Sequence, residues 1–423
     1  MVCLRDIVSP RRLAFWMLFV GIAFVMIYVR TMAIFDANHF FLAYVWAVAV
    51  TIIFRYVFYA IYDPDLSDAG DYQPSVTIIV PAKNESSVVY ETARAIDSLD
   101  YSKNKLRVIL VNDGSDDDTG HWMDKCASDF GHEVIHLSEN SGKRQAIASA
   151  MENNNSEITV LVDSDSALDK YSLVEGLRGF KSPKVSAICG HTDVDNINSS
   201  WLTKMQTQQY FIAFKTFKSL EGFFGSVICC SGAFSMYRTE VIKPLMAEWT
   251  TQKFLGRIRT FGDDRGLTNL LLRDGHDSIY LPNAKARTIV PKTLQVYIRQ
   301  QLRWRRSFLM ESISAVSHMW KRPLGASSMF YIVLSLTMMS PFVVSYFLIL
   351  GPIFEGFNPL IYILGLALII ILHQTFYWAF QLPPADKVSF FSLMPMLPVW
   401  IFFTLFLLPW AMLTLRDGSW GTR

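Results

Sequence analysis

The chain has 423 residues, enough for one large domain or two ordinary ones. Apolar residues make up 51% of it and charged residues only 18%, against roughly 25% in an average soluble domain, a balance that points to membrane segments. The net charge of +2 gives no reason to expect a nucleic-acid partner, and five cysteines without metal-ligand or disulfide spacing fit a reduced, cytoplasmic soluble part.

Two apolar runs come first along the chain, Leu13 to Val29 and Phe40 to Tyr62. A helix needs about 20 apolar residues to cross a bilayer, so residues 1–66 are predicted to form an N-terminal transmembrane hairpin. The basic pair Arg11-Arg12 places the N-terminus inside, and the second run returns the chain to the cytoplasm. Arg55 lies within that second run and has to snorkel or face a protein partner.

Residues 67–290 show short β-branched runs that alternate with helical stretches. Strands are predicted at Val76–Val80, Leu106–Val111, Ile158–Val162 and Val185–Cys189, and helices at Ser86–Leu99, Thr119–Phe130, Arg144–Asn153 and Ser172–Phe180. This alternation predicts a Rossmann-like α/β domain with a parallel sheet covered on both faces. In such sheets ligands bind beyond the carboxyl ends of the strands, which directs attention to the residues there.

The last third of the chain returns to membrane character. Residues 291–324 contain an amphipathic helix from Leu294 to Ser317, whose mixture of arginines and large apolar side chains predicts a position in the membrane interface. Residues 325–415 are predicted to form a C-terminal membrane bundle. Its apolar runs are Met329–Leu350, Leu360–Phe380 and Val388–Leu413.

Two carboxylates, Asp163 and Asp165, follow the third predicted strand. In an extended chain residues i and i+2 point the same way, so the pair is predicted to hold one hard cation, Mg²⁺ or Mn²⁺. Such an ion would bridge a diphosphate and neutralise a leaving group. A solvated turn is the alternative, but the position after a buried strand, one strand away from Asp113, favours the metal.

The first two strands also end in polar clusters, Pro81-Ala82-Lys83-Asn84-Glu85 and Asn112-Asp113-Gly114-Ser115. The Asp113 carboxylate can accept the N–H of a pyrimidine and Gly114 lets a nucleotide approach closely, although a tight turn with an Asx hydrogen bond explains the segment equally well. Ser141-Gly142-Lys143-Arg144 precedes a helix. It indicates an anion site with two cations beside it, or else an ordinary helix start with exposed basic residues.

The segment Ser231 to Arg238 is the next candidate. Its small residues would let a sugar ring come close, although a packed turn is an equally good explanation. The neighbouring pair Cys229-Cys230 is interpreted as core rather than as nucleophiles, because no His/Asp or His/Asn partner pattern stands near it.

Two further motifs bear on chemistry. In Gly262-Asp263-Asp264-Arg265 the adjacent carboxylates should repel, which raises the proton affinity of one and predicts a general base, with Arg265 tempering this effect or pairing with Asp263. In Gln300-x-x-Arg303-Trp304 the amide, the guanidinium and the indole share one helix face. The indole suits a sugar ring and the guanidinium a diphosphate, while a basic interfacial helix is the alternative.

With these residues in hand, the sequence resembles the processive family-2 glycosyltransferases, and within them the class I hyaluronan synthases. The resemblance extends over nearly the whole chain. The motifs that carry it are Asp113-Gly114, Gly142-Lys143-Arg144, Asp163-Ser164-Asp165, Gly190-His191, Cys230-Ser231-Gly232, Tyr237-Arg238, Phe254-Leu255-Gly256, Gly262-Asp263-Asp264-Arg265, Leu267-Thr268-Asn269, Gln300-x-x-Arg303-Trp304 and Trp420-Gly421-Thr422-Arg423.

The resemblance implies a GT-A domain with a mixed sheet joined to a transmembrane bundle with interfacial helices. It implies inverting transfer from UDP-GlcNAc and UDP-GlcUA to a growing polysaccharide, hyaluronan in the first place, which leaves through the bundle of a plasma-membrane enzyme with its catalytic domain in the cytoplasm. The roles implied are nucleotide binding by Pro81, Lys83, Glu85, Asp113, Lys143, Asp163, Gln300, Arg303, Trp420 and Arg423, metal binding by Asp163 and Asp165, base catalysis by Asp264, and acceptor binding by Cys230, Ser231, Gly232, Asp263 and Trp304.

Two features leave questions open. Ala233-Phe234 stands where hyaluronan synthases have Pro-Leu, next to the expected acceptor site, so the alternatives are synthases of chitin, chitin oligosaccharides or glucuronate-containing capsules, a non-processive glycolipid transferase, or a receptor with an inactive transferase domain. The terminal segment 416–423 is expected to close over the nucleotide inside the cell. Five apolar runs would leave it outside, so we expect an even number of crossings, with one of the last three runs interfacial or re-entrant.

Overall fold

The computed structural model describes residues 10–32, 39–64, 66, 72–356, 358–381 and 388–416. The strands are β1 (Val76–Ala82), β2 (Leu106–Asp113), β3 (Glu133–Leu137), β4 (Ile158–Leu161), β5 (Ser166–Leu168), β6 (Val185–Val194), β7 (Ser235–Arg238), β8 (Lys253–Phe254), β9 (Arg257–Ile258) and β10 (Asp277–Thr288). The helices are α1 (Pro10–Met32), α2 (His39–Ile61), α3 (Val88–Asp97), α4 (Thr119–Phe130), α5 (Lys143–Glu152), α6 (Ser172–Leu177), α7 (Trp201–Ile212), α8 (Ser219–Phe223), α9 (Thr239–Ile242), α10 (Met246–Thr251), α11 (Asp263–Arg273), α12 (Leu294–Met319), α13 (Leu324–Ser345), α14 (Gly351–Phe354), α15 (Leu360–Phe380), α16 (Met396–Phe402) and α17 (Leu408–Leu413).

Eight strands form one mixed sheet in the order β3-β2-β1-β4-β7-β6-β10-β5. The strands from β3 to β4 run parallel, as predicted, and β6 runs parallel to β10. The parallel sheet predicted from the alternation of strands and helices is wrong in two places, because β7 is antiparallel to both of its neighbours and β5 is antiparallel to β10. The mixed sheet that the resemblance implies is confirmed. The four predicted strands are confirmed within one to five residues at their ends.

Helices cover both faces of the sheet because the strands are apolar on both sides. In β1, Ile78 and Val80 face a cluster formed with α3, α4 and α6, whereas Ile79 faces the cluster formed with α5, α10 and α11. All three side chains are fully buried. This alternation follows from the two-residue period of a strand, and it anchors the strand ends that carry the predicted site.

Within the described residues, four helical stretches are long and apolar enough to cross a membrane. They are Ala43–Ile61, Leu324–Phe354, Tyr362–Phe380 and Phe390–Leu413, and they correspond to the last four predicted runs. The first predicted run lies within the 23-residue helix α1, whose Phe15 and Phe19 pack on Tyr56 of α2 and the membrane helix α15. The number of crossings and the cytoplasmic orientation stay predictions.

Helix α12 begins at Leu294 as predicted and ends at Met319, and its position in a membrane interface stays a prediction. It buries charged as well as apolar side chains, among them Arg306 and the fully buried Glu311. Arg306 donates from Nε to Thr414 Oγ1 at 3.1 Å, and Asn269 of α11 donates to Glu311 Oε2 at 3.1 Å. The helix therefore connects the α/β domain with the C-terminal helices, and it brings its own polar face to the edge of the sheet.

Candidate active site

The pair Asp163 and Asp165 lies where β4 ends, as the sequence predicts. The backbone N–H of Ser166 donates to the carbonyl of Asp163 at 3.0 Å, so the chain turns here and the predicted extended geometry is wrong. The two carboxylates consequently take different neighbours. Asp163 Oδ1 accepts from Lys143 Nζ at 2.5 Å, whereas Asp165 Oδ1 accepts from Thr288 Oγ1 at 3.2 Å.

Lys143 stands between two carboxylates at the first residue of α5. Its Nζ lies 2.5 Å from Asp163 Oδ1 and 3.6 Å from Asp264 Oδ1. Burial alone would lower the pKa of this amine, but the nearby carboxylates of Asp163, Asp264 and Asp263 outweigh it and raise the pKa. Lys143 therefore keeps its charge in the site, where it can face a diphosphate.

Asp264 is the second residue of α11. Gly262 precedes the helix with φ of 80°, a left-handed conformation that glycine adopts without strain. Asp264 Oδ2 accepts the backbone N–H of Gly232 at 2.9 Å, which fixes the direction of the carboxylate. Loss of hydration is the largest cause that raises its pKa, the charges of Asp163 and Asp263 add to it, and Lys143 opposes it. The predicted rise in proton affinity therefore comes first from burial and only then from neighbouring carboxylates.

Asp263 faces away from Asp264 into the protein. Its Oδ1 accepts from Arg144 Nε at 2.8 Å, and both side chains are buried. Arg144 also donates to the carbonyl of Trp249 at 2.8 Å and to Gln252 Oε1 at 2.9 Å. A buried network takes the place of the predicted exposed cation at Arg144, and Arg265 lies over the Phe308 ring at 5.1 Å instead of pairing with Asp263. The predicted role of Asp263 in acceptor binding stays a prediction.

A cleft with about 260 Å³ of open space unites these groups. Pro81, Lys143, Asp163, Gly232 and Asp264 all line it. The strand ends and two helix starts therefore bring together residues that lie far apart in the sequence, and with Asp263 six of the predicted site residues line the cleft.

Gly232 occupies the centre of this cleft. A methyl group there would lie 2.8 Å from Asp264 Oδ1, 2.8 Å from Lys143 Nζ and 2.9 Å from Asp163 Oδ1. We expect Gly232→Ala to displace these groups and to lower kcat by about 10²-fold, since misplacement by about 1 Å has that effect. Assays of UDP release should show this loss with an unchanged unfolding midpoint. Gly365→Ala, in a helix with open space around the residue, is the control and should keep full activity.

The nucleotide residues predicted from the first two strands lie side by side. Lys83 Nζ donates to the carbonyl of Gly114 at 2.7 Å, and Asn84 N donates to Ser115 Oγ at 3.0 Å. Asp113 accepts from the backbone of Ser141 at 2.7 Å and of Gly142 at 2.9 Å. Its carboxylate thus already holds the loop before α5. The roles of Pro81, Lys83, Glu85 and Asp113 toward a nucleotide stay predictions.

The polar face of α12 contributes Gln300, Arg303 and Trp304. Among the described residues, Gln300 Oε1 and Arg303 Nε are buried without a hydrogen-bond partner. Trp304 is 38% exposed, and its ring centroid lies 6.2 Å from that of Tyr210. The roles of Gln300 and Arg303 toward a nucleotide, and of Trp304 toward an acceptor, stay predictions.

The remaining predicted site residues are Cys230, Ser231, Trp420 and Arg423. Cys230 is fully buried, with its thiol next to Cys189, which confirms its interpretation as core. Its role in acceptor binding stays a prediction. Ser231 directly precedes Gly232, which lines the cleft, and its role stays a prediction. Trp420 and Arg423 lie outside the described residues.

Sequence reasoning missed Tyr210. Burial is the largest cause that raises the pKa of its phenol, and the charges of Asp165 and Asp163 add to it while Arg303 opposes it. Tyr210 therefore lies among the predicted metal ligands and the α12 face. It belongs to α7, a stretch without any motif, so no local signal pointed to it.

Known proteins resemble this chain in sequence. A family model described as glycosyltransferase like family 2 matches residues 74–307, more than half of the chain. An N-acetylglucosaminyltransferase from Azorhizobium caulinodans is 38% identical over 253 residues, which cover 59% of this chain and 64% of that protein. One from Rhizobium meliloti is 35% identical over 247 residues, 57% of this chain and 58% of that protein. The chain thus spans less than two thirds of the length of these curated relatives.

A solved structure resembles the fold. A mannosyltransferase from Pyrobaculum calidifontis, in complex with GDP-Man and Mn²⁺, superposes with a TM-score of 0.59 at 18% identity, covering 89% of this chain and 99% of that chain. At this identity the likeness concerns the fold alone. It identifies the mixed sheet as a GT-A fold, followed by helices long and apolar enough to span a membrane. By its sequence match and its fold together, the chain belongs to the glycosyltransferase like family 2.

Proposed function

We propose that this membrane-associated transferase moves N-acetylglucosamine from UDP-GlcNAc to the end of a growing polysaccharide with inversion at the anomeric carbon. The observation that carries the proposal is the Asp264 carboxylate, held by Gly232 N–H and placed 3.6 Å from the Lys143 amine that also binds Asp163. The names of the curated relatives, N-acetylglucosaminyltransferases, support the choice of sugar.

The reaction follows from the proposed roles. Asp264 accepts the proton of the acceptor hydroxyl, whose oxygen forms a bond to the anomeric carbon as the bond from that carbon to the diphosphate oxygen breaks. Lys143 and Arg303 would neutralise the charge of the departing UDP, and Trp304 would support the acceptor ring. The raised pKa of Asp264 suits this task, since a stronger base takes the proton more readily.

Asp163 and Asp165 fit a divalent metal in their chemistry. In the described part of the chain no group of three metal-ligating side chains occurs, and Mg²⁺ is commonly bound by one or two carboxylates plus substrate phosphates and water. Held by these two residues, Mg²⁺ or Mn²⁺ would stabilise the charge of the leaving diphosphate. The structural neighbour named with Mn²⁺ supports this proposal.

Removal of divalent metal with EDTA is expected to abolish UDP release, and Mn²⁺ or Mg²⁺ should restore it. Asp165→Asn should raise the metal concentration that gives half-maximal activity at least about tenfold, because one charged ligand is lost. Asp100→Asn changes an exposed carboxylate that does not line the cleft and serves as the control. Full activity in EDTA would contradict the metal assignment.

The identity of the polymer is tested by donor dependence. UDP-GlcNAc and UDP-GlcUA are supplied separately and together to the purified protein, and the product is sized. We expect a polymer from UDP-GlcNAc alone, of the chitin type, on the strength of the relatives. A polymer that requires both donors would instead establish hyaluronan. Short lipid-linked products would refute processive synthesis.

A further inference from the structure

Glu311 is a fully buried carboxylate in the second half of α12, and the proposed reaction gives it no role. Arg259 Nη1, from the segment between β9 and α11, donates to both of its oxygens at 2.8 Å. Nη2 of the same guanidinium donates to Ser314 Oγ at 2.7 Å, three residues further along α12. Asn269 of α11 donates to Glu311 Oε2 at 3.1 Å and to its backbone carbonyl at 3.0 Å. One buried charge therefore joins α12 to α11 and to the segment before it.

The start of α11 packs closely against this part of α12, because glycines occupy two of its contact positions. A methyl group on Gly262 would lie 2.7 Å from Ser307 Oγ and 3.3 Å from Glu311 Cγ. A methyl group on Gly266 would lie 3.2 Å from Glu311 Oε1. The base Asp264 stands between these two glycines in the sequence. The position of Glu311 thus determines how α12 lies against the helical turn that carries the base.

The same helix carries Trp304, the proposed support of the acceptor ring. Trp304 precedes Glu311 by seven residues, which is two turns of helix, so the two side chains share a face of α12 about 10 Å apart along its axis. On its other side Glu311 Oε1 lies 3.6 Å from Arg144, the residue after Lys143 of the cleft. A shift of α12 at Glu311 would therefore move Trp304 relative to Asp264.

We propose that Glu311 is a positioning residue for the transfer step, which fixes α12 against α11 so that an acceptor hydroxyl on Trp304 meets the Asp264 carboxylate. Glu311 acts through the two helices that it joins. Exact placement matters here, because a displacement of about 1 Å can cost about 10²-fold in rate. The inference rests on the proposed function and adds to it the contact that aligns the base with the acceptor.

The test measures UDP release from UDP-GlcNAc by the full-length protein, and titration calorimetry with UDP-GlcNAc counts the sites that bind the donor. Glu311→Asp keeps the charge but shortens the side chain by one methylene, so α12 has to shift if the contacts with Arg259 and Asn269 are to form. We expect kcat per donor-binding site to fall about 10²-fold. The Kd for UDP-GlcNAc should change only a few-fold, because Lys83, Asp113 and Lys143 lie outside α12.

Three further variants separate positioning from stability. Glu311→Gln keeps the length but removes the charge that balances Arg259, so it should lower the unfolding midpoint more than Glu311→Asp and yet retain a higher kcat per site. Arg259→Lys keeps both charges and loses the planar fork that joins Glu311 to Ser314, which should lower kcat per site about tenfold. It decides the question if Glu311→Asp does not fold. Glu175→Asp, in the ion pair with Arg178 on α6, is the matched control and should change nothing.

A purely structural role of Glu311 would lower the number of donor-binding sites and leave kcat per site unchanged, and this result would overturn the proposal. So would a loss of donor affinity as large as the loss of kcat, or a higher kcat per site in Glu311→Asp than in Glu311→Gln. A wild-type protein that binds UDP-GlcNAc but releases no UDP would instead refute the proposed function.

Discussion

Replacement of Asp264 by asparagine is expected to lower kcat by about 10²–10⁴-fold, the usual contribution of a general base. Asparagine keeps the size of the side chain and its hydrogen bond from Gly232 N–H, but it cannot take a proton. UDP-GlcNAc binding, measured by titration calorimetry, should stay within a few-fold of the wild type. Asp100→Asn, at an exposed position, is the control for the loss of one negative charge.

The same variant should fold. Burial raises the pKa of Asp264, so folding disfavours its ionised form and the group adds no stability at neutral pH. A neutral asparagine therefore leaves the unfolding midpoint equal or slightly higher. If the midpoint instead falls along with the activity, the role of Asp264 is structural.

The pH dependence of kcat gives an independent check. Asp264 works only when ionised, so the rate should fall as the pH decreases through its pKa. Because that pKa is raised, this acid limb should lie above the usual range of aspartate, about 3.9. The residual activity of Asp264→Asn should lack the limb. A limb that persists in the variant would assign it to another group.

Local sequence patterns predict most of the helices and strands that position the site. The predicted ends of helix Thr119–Phe130 are the observed ones. The strands before Lys83, Asp113 and Asp163 are also predicted correctly, because an apolar run followed by polar residues marks the end of a strand by local sequence alone. The antiparallel strand β7 is not predicted, because a four-residue strand has no pattern of its own, and the sequence leaves a sugar-contacting segment and a packed turn equally open there.

The contacts inside the site were harder to predict. Arg144 pairs with Asp263 across 119 residues of sequence, a partner that no spacing rule indicates. Helix spacing itself disfavours a pair between Asp263 and Arg265, since residues i and i+2 of a helix do not face each other. The order of causes behind the raised pKa of Asp264 also needed the structure, because burial is a property of the folded chain.

Asp263→Asn should lower the stability and leave most of kcat, whereas Asp264→Asn should lower kcat and leave the stability. This difference separates the roles of the two neighbours. Arg144 and Asp263 are both buried, and breaking such a pair costs about 3–5 kcal/mol. We expect about 3 kcal/mol, the lower end of that range, because asparagine still accepts from Arg144 Nε. Thermal unfolding of the purified protein should show a clearly lower midpoint, while kcat at low temperature stays within about tenfold of the wild type.

A double-mutant cycle tests whether Asp263 stabilises the fold through Arg144 or binds the acceptor. Arg144→Met should cause a similar loss of stability, and the double variant should lose less than the sum, because each single change leaves one buried charge without its partner. Glu311, 3.6 Å from Arg144, still attracts the guanidinium in Asp263→Asn and limits the damage. An unchanged unfolding midpoint of Asp263→Asn, together with lower activity and a raised KM for the acceptor, would contradict the stabilising role. It would support the predicted role of Asp263 in acceptor binding.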